Sequence, residues 1–295
     1  MDDILYCFSF SDFSENGEVV PELLTALGYD FSSWRDAETK KLAHTLYFKT
    51  LEEAETAKEQ FEGMTDTLRD MEVSIGNLAV SELKKEDWAE SWKIHFKPIE
   101  ISPTLAITPS WIDFKAKPGQ HVIVLDPGMS FGTGQHATTK FCLTQLDRFA
   151  SEHDVSQLSM LDAGCGSGIL AIAAEKLGYH DIHAFDIDPE AARIAKENAE
   201  FNRCSRIRFS AASLIEFNSR GVKYDVIAAN ILSSALLAGR DKLLSLLKPG
   251  GCLIMAGILD KEYETVKAAF EASGCVQFAS TEEKQWRGGA FVYSK

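Results

Sequence analysis

"LDAGCGSGIL", residues 161–170, decides the fold of this chain. Leu161 and Asp162 close a strand, Gly164, Gly166 and Gly168 form a turn, and Ile169 opens a helix. In open α/β sheets a ligand sits beyond the carboxyl ends of the strands, where the strand order reverses, so a nucleotide-type ligand is expected at this turn. The spacing is G-x-G-x-G, and Ile169 occupies the place where the dinucleotide pattern G-x-G-x-x-G ends on a small residue. Pyrophosphate docking against the helix start is therefore disfavoured. A second glycine cluster, "LDPGMSFGTGQHATTK" at 125–140, lacks the Gly-Lys-Ser/Thr ending of an ATP-binding P-loop. A ligand with a ribose and a cationic centre but no phosphate suits the acids. Asp186 ends the next strand, 22 residues after Gly164, where a carboxylate accepts both ribose hydroxyls, and Asp162 faces the place for an α-ammonium group. Asp188 before Pro189 reads as an ordinary helix N-cap with proline at the first helical position.

Outward from this turn, residues from about 120 alternate strand and helix. Strands are predicted at "HVIVLD", near 158–162, at "DIHAFDID", "RIRFSA", "YDVIAAN" and "GCLIMAGIL", with a final pair around "VQFAS" and "GAFVYS". Helices are predicted at 137–150, 168–177, 189–202, 233–247 and 261–273. Apolar strands alternating with amphipathic helices imply a doubly wound α/β domain with a parallel sheet covered on both faces, spanning 116–295. Residues 1–82 read as a smaller ferredoxin-like α+β domain. Its strands are "ILYCFSF", "LAHTLYFKT" and a stretch near 71–80, with helices around 18–28 and 51–62. Residues 83–115 read as a connector, in which Trp88, Trp92 and Phe96 form one aromatic helix face ended by Pro98.

The chain has 295 residues and a net charge of −14, from 44 acidic and 30 basic side chains. That charge repels nucleic-acid backbones and favours a basic partner, and the pairs Lys40-Lys41 and Lys84-Lys85 are isolated. Six scattered cysteines without a C-x-x-C pair indicate neither a metal site nor a disulfide framework. No leader-like segment and no run near the roughly 20 apolar residues of a membrane span is read. The expectation is a cytoplasmic monomer without membrane or direct nucleic-acid contacts.

At this point the residues resemble S-adenosylmethionine-dependent methyltransferases of the seven-stranded, Rossmann-like type. "LDPGMSFGTGQHATT", "DAGCGSGILAIAA", "DIDPEA" and "ANIL" in this order, preceded by "EDWAESWKIHFKP" and "TPSW", resemble the ribosomal protein L-eleven methyltransferase family (PrmA). The resemblance is carried by residues 83–295, and by the N-terminal domain through position and size. Ala137 departs from the proline usual in the family's "T-x-H-P-T-T" stretch, which loosens the loop. The resemblance implies S-adenosyl-L-methionine as cofactor and methyl transfer to lysine side-chain or N-terminal amines of a ribosomal protein. It also implies that the loop "FGTGQHATT" folds over the cofactor, and that the N-terminal domain grips the substrate. By position it places Thr139, Gly164, Asp186 and Asn230 in contact with the cofactor and Phe131, Thr133 and Gly166 near it.

Asn230 ends the strand "YDVIAAN" on the same sheet edge as Gly164 and Asp186, where its carboxamide oxygen can accept from the amine and orient the nitrogen lone pair. Many amino-methylating relatives carry Asn-Pro-Pro-aromatic here; this chain reads Asn230, Ile231, Leu232, Ser233, which implies a more open slot. The plainer reading of Asn230 is a strand-end turn residue. His136 admits two readings, a base toward the amine or a hydrogen bond that braces its loop. His44, His95, His121, His153, His180 and His183 read as surface or packing residues, and Cys165 as a small buried one. Three other functions compete: the same fold with an RNA or small-molecule acceptor, opposed for RNA by the acidic charge; a nicotinamide oxidoreductase, opposed by Ile169 and the extra glycine loop; and a non-enzymatic binding module using the N-terminal domain, which would leave the cofactor loops unexplained.

Overall fold

A computed structural model describes residues 4–14, 19–35, 42–65, 68, 73–84, 96–126 and 136–294. The aromatic helix face at Trp88 and Trp92, and Phe131 and Thr133 in the second glycine cluster, lie outside the described residues. The chain divides into two compact units, Met1–His95 and Phe96–Lys295.

The first unit alternates strand and helix: β1 (Ile4–Asp12), α1 (Val19–Ala26), β2 (Phe31–Arg35), β3 (Leu42–Phe48), α2 (Leu51–Gly63) and β4 (Ile75–Lys84). Its sheet runs β2-β3-β1-β4 with every neighbour antiparallel, the arrangement of a ferredoxin-like α+β layer. Period two along β1 turns Phe8 and Phe10 to one face, where they meet Phe61 of α2 at ring separations of 5.5 and 5.2 Å. Thr50 and Glu53 form a reciprocal capping box that starts α2 at the expected place. The strand missing from the sequence reading is β2, "FSSWR", whose polar residues carry no buried-strand signal at the sheet edge.

The second unit begins with β5 (Ile99–Glu100), β6 (Leu105–Thr108) and β7 (His121–Val124), which pair into a three-stranded sheet of their own. "HVIVLD" is thereby corrected. It is a strand as predicted, yet it pairs parallel with β6 and takes no place in the large sheet. Asn202, beyond the helix that precedes it, donates from Nδ2 to the Val124 carbonyl at 2.7 Å and accepts the Val124 N–H at Oδ1 at 2.8 Å. The residues 96–115 of the expected connector supply β5 and β6 and so belong to this unit.

There follow α3 (Ala137–Glu152), β8 (Ser159–Ala163), α4 (Ile169–Leu177), β9 (Asp181–Asp186), α5 (Pro189–Phe201), β10 (Ile207–Ala211) and β11 (Tyr224–Asn230). The unit closes with α6 (Ser233–Ala238), α7 (Arg240–Leu246), β12 (Leu247–Leu259), α8 (Asp260–Glu271), β13 (Cys275–Glu283) and β14 (Trp286–Tyr293). The helix predicted over 233–247 is thus two, broken at Gly239. The seven-stranded sheet runs β10-β9-β8-β11-β12-β14-β13, parallel from β10 to β12, with β14 inserted antiparallel between β12 and β13. Alternate residues feed two cores: Val226, Ala228, Cys252 and Ile254 pack toward α3 and α4, and Ile227, Ala229, Leu253 and Met255 toward α7 and α8. This two-sided burial is why the strands read as near-continuous apolar runs. The order reverses at β8, between β9 and β11, and the glycine turn follows β8 directly.

Candidate active site

The registers align three strand ends. Asp162 pairs with Ala184 of β9 and with Ala228 of β11, so two residues on, Gly164, Asp186 and Asn230 stand level at the carboxyl edge of three adjacent strands. Gly164, Gly166 and Gly168 all have positive φ, at 79°, 51° and 79°, a region that costs an L side chain about 1–2 kcal/mol. A Cβ on Gly164 would stand 2.3 Å from the Ile231 side chain, and one on Gly168 would stand 2.9 Å from Ala195 Cβ, so bare backbone is required at both ends of the turn. The N–H groups of Gly164 and Cys165 donate to the Phe185 carbonyl, each at 2.9 Å, tying the turn to β9.

Asp186 is half-buried and organises the turn: Oδ2 accepts the Gly166 N–H at 2.8 Å and Oδ1 accepts the Asp188 N–H at 3.0 Å. A carboxylate has about four lone-pair positions, so each oxygen keeps capacity for a hydroxyl donor. Asp188 caps α5 by accepting from Glu190 N at 2.9 Å, as its sequence context predicts.

Asp162 corrects an expectation. It does not face the ligand space. Its side chain is fully buried beneath the turn, where Oδ2 accepts the Ala171 N–H of α4 at 3.1 Å while Oδ1 has no hydrogen-bond partner. Burial pushes the carboxyl up to about 7, with nearby Asp186 adding to the rise and the Ala171 N–H opposing it. Between pH 4 and 7 the unfolded chain releases this proton while the folded chain keeps it. Its contribution to stability is therefore present at low pH and is lost as pH rises toward 7, by about 4 kcal/mol. Asp162→Asn keeps an acceptor for Ala171 without this titration, so its melting temperature should gain on the parent as pH is raised from 4 to 7, read by calorimetry at both ends. A pH-independent difference would refute the buried-acid assignment.

The opposite wall is α3. His136 is its N-cap, with Nδ1 2.7 Å from Thr138 Oγ1 and accepting the Thr138 N–H at 3.4 Å, and its ring meets Trp286 edge-to-face at 5.2 Å. These contacts to the first turn of α3 are those of the bracing reading. Thr139, buried one residue further, accepts from Asn230 Nδ2 at 3.3 Å, which joins the second glycine cluster to the end of β11. At the other end of that cluster Asp126 accepts from the Ser110 N–H and hydroxyl, both at 2.7 Å. The Ser110 to Asp126 contact was missed, although both partners fall in quoted motifs, because nothing in the spacing pairs them.

All six cysteines are buried and none is bridged, and burial pushes the Cys165 thiol up, which leaves no thiolate at the turn. No cluster of metal-ligating side chains occurs among the described residues. A cavity of about 380 Å³ lined by Phe149, Asp225, Lys248 and Phe278 opens at the amino ends of the parallel strands, away from the turn. Its charges are spent on each other, Lys248 on Asp225 at 2.7 Å and Arg148 on Glu152 at 2.8 Å.

The sequence matches the family described as ribosomal protein L11 methyltransferase (PrmA) over residues 28–290. The chain belongs to this family. Similar curated proteins carry the same name. One from Trichlorobacter lovleyi is 44% identical over 211 residues, covering 70% of this chain and 68% of that protein. One from Streptococcus thermophilus is 34% identical over 288 residues, covering 95% and 85%. The crystal structure of a ribosomal protein L11 methylase from Lactobacillus delbrueckii subsp. bulgaricus superposes with a TM-score of 0.61 at 34% identity, covering 68% of this chain and all of that one. The chain is accordingly a methyltransferase with the fold of this family.

Proposed function

We propose that the protein transfers methyl groups from S-adenosyl-L-methionine to lysine side-chain or N-terminal amines of ribosomal protein L11, the substrate in its relatives' names. The reading rests on one observation: the glycine turn, Asp186 and Asn230 stand level at the reversal point of the sheet. The residues present fit the cofactor. The three turn glycines present backbone at positive φ beside Asp186, whose carboxylate oxygens each accept only one N–H and keep room for a further donor. Asp186 would take the ribose hydroxyls, Gly164 and Gly166 would let the ligand lie on bare backbone, Thr139 would contact it, and Phe131 and Thr133 would lie near it. When bound, the cofactor supplies a methyl group on a positively charged sulfur.

The amine must arrive neutral. For a lysine of ordinary pKa this costs about 4–5 kcal/mol at pH 7. An apolar, water-excluding slot lowers that cost by disfavouring the ammonium, and the neighbouring positive charge acts in the same direction. Asn230 Oδ1 then accepts one amine N–H and turns the lone pair toward the methyl carbon. The methylated nitrogen would carry one proton too many and would pass it to solvent, with Asn230 Oδ1 accepting from the N–H that remains. The acidic body suits a basic substrate and opposes an RNA acceptor. Residues 1–82 would hold the substrate, and the unit that begins at Phe96 would carry out catalysis as a cytoplasmic monomer. Incubation with methyl-labelled cofactor and purified ribosomal proteins should label L11. Label confined to another protein, or to ribosomal RNA, would overturn the reading.

A further inference from the structure

Gly257 interrupts the apolar run "LIMAGIL" near the end of β12. The β11 to β12 ladder pairs Asn230 with Ala256, so Gly257 is one step beyond Asn230's partner. The β12 to β14 ladder slips between Met255 and Ile258, and Gly257 takes a φ of 80°. A Cβ at this position would stand 2.8 Å from the Ile231 carbonyl oxygen, 3.2 Å from its carbon and 3.1 Å from Asn230 Oδ1. The first two are backbone atoms that cannot swing aside. The third is the oxygen to which the proposed function assigns the amine. The far end of the same carboxamide is held too, since Nδ2 donates to Thr139 Oγ1 at 3.3 Å.

We propose that Gly257 is a positioning residue for methyl transfer: its bare Cα seats the Asn230 carboxamide oxygen while Thr139 holds the nitrogen, so that the oxygen meets the amine in one orientation. The inference rests on the proposed role of Asn230. A carboxamide displaced or turned over would offer N–H donors to an amine that itself needs an acceptor. Turnover would fall, and the ribose and glycine-turn contacts, which lie on other strands, would persist.

The test is a double-mutant cycle in the full chain with ribosomal protein L11 as acceptor, comparing Gly257→Ala, Asn230→Ala and the double variant. Gly250→Ala is the control, because Gly250 has a similar φ of 76° with nothing within 4 Å of an added Cβ. Gly257→Ala is expected to lower kcat by tenfold or more, on the order of what small misplacements cost. Calorimetry should give S-adenosylhomocysteine affinity within about twofold of the parent, since the binding contacts remain. In the Asn230→Ala background most of the Gly257→Ala loss should vanish. If Gly257→Ala matches the Gly250→Ala control, or if its loss adds in full to that of Asn230→Ala, the positioning role is wrong. Should Gly257→Ala not fold, Thr139→Val removes the other half of the clamp, and unchanged kcat there refutes it equally. Undiminished turnover in Asn230→Ala alone would strike the proposed function instead, which keeps the two failures distinct.

Discussion

Replacing Asp186 with alanine is expected to weaken S-adenosylhomocysteine binding by about a hundredfold, read by calorimetric titration. Two effects combine. On the proposed function, charge-assisted hydrogen bonds to the ribose hydroxyls, each about 1.5–3 kcal/mol, would disappear. The Gly166 and Asp188 N–H groups also lose their acceptor, at 2.8 and 3.0 Å, so the turn itself loosens. Asp186→Asn separates the two, because a carboxamide oxygen retains one backbone N–H while the charge is gone; its affinity should fall between parent and alanine variant. Affinity unchanged within threefold in Asp186→Ala, with the circular dichroism of the parent, would place the ribose elsewhere.

For Asn230→Ala the expected loss is in turnover, about a hundredfold or more in kcat, with affinity for S-adenosylhomocysteine largely retained. Removing one preorganised hydrogen-bonding group at the reacting centre typically costs this much. On the proposed function the cofactor would keep the glycine turn that follows β8 and Asp186 at the end of β9, whereas the amine would lose the acceptor that aims its lone pair. The substitution also frees Thr139 Oγ1 from Asn230 Nδ2, a contact between residues 91 apart in sequence. Steady-state kinetics with L11 as acceptor, set beside the binding titration, gives the split between kcat and affinity. Equal losses in both would make Asn230 chiefly a ligand contact, and undiminished turnover would remove it from the amine.

Features that depend only on neighbours along the chain are legible in the residues themselves. Glycines at 164, 166 and 168 are needed because the local φ values are positive, and the capping residues Thr50 and Asp188 act on N–H groups two or three residues away. Two-sided burial leaves its mark in each strand as an unbroken apolar run, which is why the doubly wound class is legible from "YDVIAAN" or "GCLIMAGIL" alone. Depth, pairing partner and contact across strands were decided only by the tertiary structure. "HVIVLD" has the same pattern whether it joins the large sheet or pairs with β6 beside Asn202. Asp162 and Asp186 both end strands next to the turn, yet one is sealed under α4 and the other opens at the edge, because strand-end position does not encode which side the helix covers. The grip of Thr139 and Gly257 on Asn230 joins α3, β12 and β11, and such a contact exists only once three separate segments have packed together.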